Sequence, residues 1–174
     1  MTDKGDALLS KLILLFVFDK MEVPLAESTI EEICASANNW LSYMDCKPTV
    51  SQLLDNSFIY QVTTAQDPLY AITPNGRACL ADFFATIPTS TRESISRFVK
   101  ANRTKYRKKQ EYLADYYMDN DGTYTVYLKI METVGPQLEL KFVVPSRQIA
   151  KNIYSKWADK AESAYTTIYE NLVD

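Results

Sequence analysis

The residues best suited to chemistry form a basic cluster near the middle of the 174-residue chain. Eight lysines and arginines and one acidic residue, Glu93, lie between Arg92 and Lys109, giving a local net charge of +7, whereas the rest of the chain carries −10. A solvated helical stripe of this charge density attracts phosphate backbones and raises encounter rates with them. The residues that we expect to bind phosphate are Arg97, Lys100, Arg103, Arg107 and Lys108.

A second interpretation of this stripe stays open. Its cations fall opposite an apolar arc that contains Ile95, Phe98, Val99 and Tyr106, as expected for an exposed amphipathic helix. Such a helix could instead pair its charges with the acidic surface of a C-terminal domain or of a second subunit.

Several residue types that common catalytic and metal sites require are absent or isolated. The chain contains no histidine, which excludes Ser-His-Asp and Cys-His constellations and imidazole-ligated zinc. The four glycines are too far apart for a phosphate-cradling loop, and the three cysteines include no C-x-x-C pair. We therefore expect a protein with no catalytic activity, no metal and no cofactor, with thiols typical of a reducing compartment.

The longest apolar run is too short to cross a membrane. It extends over seven residues, from Leu12 to Phe18, whereas a spanning helix requires roughly 20. Asp19 ends the run without a small-residue cleavage site, which argues against a signal peptide. We expect a buried helix in a cytoplasmic protein that has no membrane partner.

The N-terminal segment has the hydrophobic pattern of three helices, a hairpin and a closing helix. Ser28 and Asp45 are the predicted N-caps of the second and third helices. Thr73 and Pro74 are the residue types preferred at the N-cap and the first position of a fourth helix. The predicted bounds are 6–21 for the first helix and 57–62 and 69–72 for the two strands.

The C-terminal segment predicts a three-stranded antiparallel sheet covered by a long helix. After a first strand over 114–118, apolar residues alternate from Tyr124 to Ile130 and from Leu138 to Val144. Ser146 is the predicted N-cap of a helix whose apolar positions continue from Ile149 to Leu172. A helix laid over one face of this sheet would bury both apolar surfaces.

The chain as a whole is predicted to be α+β. The element order of its N-terminal segment is that of a winged helix-turn-helix. The predicted organisation is a winged helix-turn-helix domain over 1–87, a basic connecting helix over 88–112 and an α+β domain over 113–174.

Two stretches carry a resemblance to known proteins. Leu53–Ile59 resembles the end of a recognition helix that continues into a wing. Tyr70–Leu80 is similar to the Y-x-I-T-x-x-G-x-x-x-L motif that follows the wing in many bacterial winged-helix regulators. This motif marks the fold well and the function poorly.

Further similarities lie beyond the wing, at 87–88, 92–95, 114–117 and 144–146. With them, nearly the whole chain resembles an uncharacterised bacterial family labelled as candidate transcriptional regulators with an N-terminal winged helix. The resemblance implies a winged-helix regulator that binds double-stranded DNA, and it implies no catalytic residue or ligand. Pro48 departs from the family pattern, because it stands where the recognition helix begins and would shorten or reorient it.

In a winged-helix DNA-binding domain, the third helix enters the major groove and the wing lies over the backbone. The side chains expected to point outward from the third helix and reach base edges are Lys47, Thr49, Ser51 and Gln52, and Cys46 is expected on the same face. The residues expected to contact DNA from the wing are Thr63, Thr64 and Gln66.

A function of a different class remains open. The third helix contains no arginine and the wing contains no cation, although DNA-binding domains of this type usually place phosphate-binding cations there. This pattern favours a protein-interaction or dimerisation module that keeps the winged-helix fold without binding DNA. Fold alone does not decide between the two functions.

We expect the protein to be a homodimer. The first helix is apolar on nearly all sides, more than one small domain is expected to bury, and a basic helix needs a duplicate to span two DNA half-sites. The C-terminal domain is expected to dimerise or to sense a small-molecule effector. The residues that could line an effector pocket are Tyr116, Tyr117, Tyr124, Tyr127 and Trp157, although their spacing is more typical of core packing.

Overall fold

The computed structural model describes residues 4–62, 67–132 and 135–173. The chain is α+β and forms two compact units, Met1–Arg103 and Thr104–Asp174. The division between the units falls within one long helix, so each unit is described by itself. The predicted three-part division at residues 87 and 112 stays a prediction.

Among its described residues, the first unit has four complete helices, the start of a fifth and a small sheet, with a π-helical turn at Glu32–Ala37 and a 3₁₀ turn at Phe84–Thr86. Its elements are α1 (Lys4–Met21), β1 (Leu25–Ala26), α2 (Glu27–Glu31), α3 (Tyr43–Asp55), β2 (Ile59–Val62), β3 (Leu69–Ile72), α4 (Pro74–Phe83) and the start of α5 (Thr89–Glu111). The strand order is β1-β3-β2, and both pairings are antiparallel. The short strand before α2 therefore lies beside the far strand of the hairpin that follows α3.

α1 is the central helix of this unit. Every residue from Leu12 to Phe18 is buried, and α3, α4 and β3 pack around the helix. The expectation that one chain could not bury so apolar a helix is therefore wrong. The homodimer stays a prediction, but the apolar surface of α1 no longer supports it.

The predicted helix starts are partly right. Thr73 caps α4, since its hydroxyl accepts a hydrogen bond from the Gly76 amide at 3.0 Å, and Pro74 is the first helical residue. The predicted cap at Ser28 is wrong, because α2 begins at Glu27 and Ala26 supplies no side-chain cap. Asp45 is also not a cap: α3 begins at Tyr43, and its N-cap is Ser42.

The second unit is an antiparallel sheet with one long helix. After the end of α5 come β4 (Tyr112–Met118), β5 (Tyr124–Glu132), β6 (Gly135–Val144) and α6 (Arg147–Val173), with strand order β4-β5-β6. The predicted meander and covering helix are confirmed. Their shared core joins three strand residues to three helix residues: Val126, Leu128, Ile130, Ala150, Trp157 and Ala161.

Candidate nucleic-acid interface

α3 presents one buried and one exposed face. Its start is set by Ser42, whose hydroxyl accepts a hydrogen bond from the Asp45 amide at 3.2 Å and donates one to the Asp45 carboxylate at 2.6 Å. The buried residues follow at helical spacing: Cys46, Thr49, Val50 and Leu53. The predicted outward positions of Thr49 and Cys46 are therefore wrong, since Thr49 is only 6% exposed and Cys46 is fully buried.

The other three predicted residues of α3 are exposed, as expected. Lys47, Ser51 and Gln52 all lie on the outer face of the helix. The Lys47 ammonium is 3.8 Å from a carboxylate oxygen of Glu27, and its side chain remains 76% exposed. An ion pair this open contributes little and leaves the cation available to a phosphate or a base.

Two exposed apolar side chains lie on the same face and were not predicted from the sequence. Tyr43 is 63% exposed and Met44 is 80% exposed. The Ser42-x-x-Asp45 capping pair was the signal that could have placed them in the first turn of α3. Pro48 lies inside the helix and supplies no amide for an intrahelical bond, but α3 continues to Asp55. Pro48 therefore does not shorten the helix as the sequence suggested.

The three predicted wing contacts fall between β2 and β3 in the sequence and lie outside the described residues: Thr63, Thr64 and Gln66. In the described part of the first unit, a hollow of about 290 Å³ is lined by Glu27, Ser28, Glu31, Asp67 and Pro68. Three carboxylates make this hollow acidic, which is unfavourable for a phosphate.

The first part of α5 carries exposed cations above an apolar face. Ile95 and Val99 are buried, whereas Arg97 and Lys100 are exposed. Within the described ranges, no carboxylate forms an ion pair with either of these cations. Arg103 is different, because it pairs with Glu22 at 3.0 Å. Arg97 and Lys100 are thus the two predicted phosphate ligands of this unit that form no ion pair with a carboxylate of the described residues.

In the second unit, the end of α5 carries a compact group of lysines. Tyr106 is buried, and the ammonium groups of Lys105 and Lys109 lie 5.7 and 5.3 Å from the centre of its ring. With Lys108 they border a hollow of about 360 Å³, whose lining residues are Thr104, Lys105, Lys108, Lys109, Ala158 and Asp159. Lys105 and Lys109 were not among the residues predicted to bind phosphate, although 105, 108 and 109 have the spacing of one helix face.

Arg107 is the second predicted phosphate ligand that already has a partner. Its guanidinium donates to Glu111 at 2.7 Å, and this hydrogen bond with the Glu111 charge raises the pKa of Arg107. Arg103 and Arg107 thus have carboxylate partners, but these belong to the first unit and to α5 itself, not to the predicted C-terminal domain or a second subunit. The alternative interpretation of the basic stripe therefore stays a prediction. Arg97, Lys100 and Lys108 form no ion pair with any of the described residues.

Most of the aromatic residues considered for an effector pocket belong to the core. Tyr116 and Tyr124 pack against the cluster around Trp157, and the indole N–H of Trp157 donates to the Lys129 carbonyl at 3.2 Å. Tyr117 donates to Tyr127 at 3.5 Å. That hydrogen bond raises the pKa of Tyr117 and, with the nearby Lys141 charge, lowers the pKa of Tyr127.

The described residues contain neither a metal-binding cluster nor a membrane-spanning helix. No group of three or more Cys, Asp and Glu side chains lies close enough together there to hold a metal ion. In the same part of the chain, no helix has the length and apolarity needed to cross a membrane.

The fold and surface define an α+β protein with two antiparallel sheets and a strongly basic helix. The chain belongs to the family described as "Domain of unknown function (DUF4364)", whose model matches residues 10–172. The match includes most of both units, so one family accounts for their combination. No curated protein and no solved structure matches the chain.

Proposed function

We propose that this protein is a DNA-binding transcriptional regulator of the winged-helix type. The observation that carries the proposal is the topology of the first unit. A helix, a short strand, two helices and a hairpin follow one another, and the short strand β1 pairs with β3 of the hairpin. This is the element order expected of a winged helix-turn-helix domain, in which α3 is the recognition helix and the hairpin is the wing.

The exposed face of α3 supplies the groups that reach bases in this proposal. An α-helix fits the major groove, where a glutamine can pair with adenine and a lysine can reach guanine. Gln52, Lys47 and Ser51 are exposed on one face of α3, and we assign them to base-edge or nearby phosphate contacts. We also assign contacts with the DNA backbone to the wing residues Thr63, Thr64 and Gln66.

The basic residues of α5 supply sequence-independent affinity in this proposal. Arg97 and Lys100 in the first unit are exposed without a carboxylate partner within the described residues. In the second unit, Lys105, Lys108 and Lys109 border a single hollow. Lysines and arginines placed in this way neutralise phosphates and release their counterions.

The affinity for random duplex DNA is expected to fall steeply as salt is added. With about 4–6 phosphate contacts, log Kd plotted against log salt concentration should have a slope of magnitude roughly 4–5. Fluorescence anisotropy across a salt series measures it directly. A flat response, or no binding at low salt, would reject DNA binding in favour of the interaction module.

Replacing Gln52 with alanine is expected to separate sequence preference from general affinity. Gln52→Ala should cost about 1–3 kcal/mol on a preferred sequence and little on random duplex, because only base contacts distinguish the two. Lys100→Ala is the matched change: it should weaken both equally and reduce the salt slope by about one unit. A preferred sequence is first selected from a random duplex library. If Gln52→Ala leaves that preference intact, α3 does not read the groove through this face.

A second candidate function is favoured by the composition of the same surface. Tyr43 and Met44 are exposed apolar side chains on α3, Lys47 is close to Glu27, and the neighbouring hollow is acidic. Exposed apolar residues beside a polar rim are typical of protein-interaction surfaces. A regulator fold that binds a protein through α3 would show no steep salt response with DNA.

A further inference from the structure

β6 lies at one edge of the sheet of the second unit. β6 extends over ten residues and pairs only with β5 among the described residues. The pairing has one irregularity, which leaves Gln137 of β6 without a facing residue, and from Leu138 to Val144 the register is regular. A regular, unpaired edge of this kind is a template for another strand.

We infer that β6 pairs antiparallel with β6 of a second copy of this chain, with Leu140 of both copies at the two-fold axis. Each copy contributes a three-stranded sheet, and the pairing joins them into one continuous six-stranded sheet. The inference does not depend on DNA binding, since it concerns only the second unit.

The charges of β6 complement those of a second copy in this register. With Leu140 at the axis, Glu139 lies opposite Lys141 of the second copy, and Lys141 lies opposite Glu139 of the second copy. Moving the axis to residue 139 or 141 places two like charges directly opposite each other, which is unfavourable. Glu139 and Lys141 are the only charged residues of β6, so they select this register.

These charges also connect to the rest of the sheet. Within one chain, Lys129 on β5 pairs with Glu139 at 3.2 Å, and the Lys141 ammonium lies 5.7 Å from the centre of the Tyr127 ring. The proposed pairing extends this row across the interface, as Lys129, Glu139 and then Lys141 of the second copy. Oppositely charged neighbours then alternate along the row.

The apolar residues of β6 also favour a second copy of the chain as the partner at this edge. Phe142 is 44% exposed although it lies on the same sheet face as the buried Val126 and Leu128. In the proposed register Phe142 lies opposite Leu138 of the second copy, which would cover its ring. α6 packs mainly on β4 and β5 and leaves this side of the face open for a second copy.

The opposite edge of the sheet is less suited to pairing. On β4, the backbone amide of Tyr116 already donates to the Asp115 carboxylate at 2.8 Å. A charged side chain that occupies an edge amide is one way in which proteins protect an exposed strand. β6 is therefore the edge that we assign to the interface.

Charge reversal on β6 tests the inference in the full-length protein. The wild type is expected to be dimeric at micromolar concentration in sedimentation equilibrium. Glu139→Lys and Lys141→Glu should each raise the dimer Kd about tenfold or more, because each places like charges at two symmetric positions. An equimolar mixture of the two variants should form a heterodimer with the affinity restored, since every facing pair is again of opposite sign.

The mixture separates an interface from a folding defect, because two misfolded variants would not restore each other. Lys129→Ala is the matched control: it removes the same ion pair within the chain, keeps both β6 charges and should leave the dimer intact. A wild type that stays monomeric up to about 100 µM, far above the Kd of specific interfaces, would overturn the inference. A dimer that neither reversal weakens, or a mixture that stays as weak as its parents, would also overturn it.

Discussion

Reversing the charges of Arg97 and Lys100 together is expected to lower the affinity for duplex DNA about a hundredfold or more. Both side chains are exposed on α5, and neither has a carboxylate partner within the described residues. In the proposed complex each approaches a phosphate, so Arg97→Glu with Lys100→Glu replaces two attractions with two repulsions. Anisotropy with random duplex at low salt measures the loss.

The control changes net charge by the same amount at another place. Lys151 and Lys160 are exposed on α6, and Lys151→Glu with Lys160→Glu also shifts the net charge by −4. If binding is local to α5, the double substitution on α6 should reduce the affinity for DNA only slightly, through the long-range electrostatic field of the protein. Equal losses from the two pairs would show that net charge alone governs binding and would contradict a site on α5.

Replacing Gly76 with alanine is expected to destabilise the first unit by about 2–3 kcal/mol. A Cβ at this position would overlap the carbonyl oxygen of Phe58 and lie 2.8 Å from Cγ1 of Ile72. The Phe58 carbonyl cannot move away freely, because it accepts a hydrogen bond from the Thr73 amide at 3.0 Å. α4 must therefore shift from the hairpin, or the hairpin must distort.

Thermal unfolding followed by circular dichroism checks this result, with an expected fall in melting temperature of about 5–10 °C. Gly5→Ala is the matched control, since Gly5 is exposed on α1 and has no atom near the added Cβ. Helix propensity alone would make both changes stabilising, by up to about 1 kcal/mol. A stabilised Gly76→Ala variant would mean that the close approach of α4 to the hairpin is absent in solution.

The sequence by itself determined the features that depend on neighbouring residues. The start of α4 follows from Thr73 and Pro74, and the strands of the second unit follow from their period-two alternation. The predicted basic helix ends within one residue of α5, because its apolar positions keep helical spacing over the whole segment. The charge of this segment, and hence the phosphate-binding hypothesis, also needed no structure.

Only the tertiary structure decided which face of each element is covered. Thr49 and Cys46 lie on the inner face of α3, because α3 packs against α1, α2 and β2 on that side. Among the predicted phosphate ligands, Arg103 forms an ion pair with Glu22, which is 81 residues away in the chain. From the sequence alone, Gly76 is an ordinary helix-weakening residue. The structure shows that the Phe58 carbonyl occupies the space that a Cβ at this position would need. Burial, ion pairing and close approach depend on residues distant in sequence, which local pattern does not report.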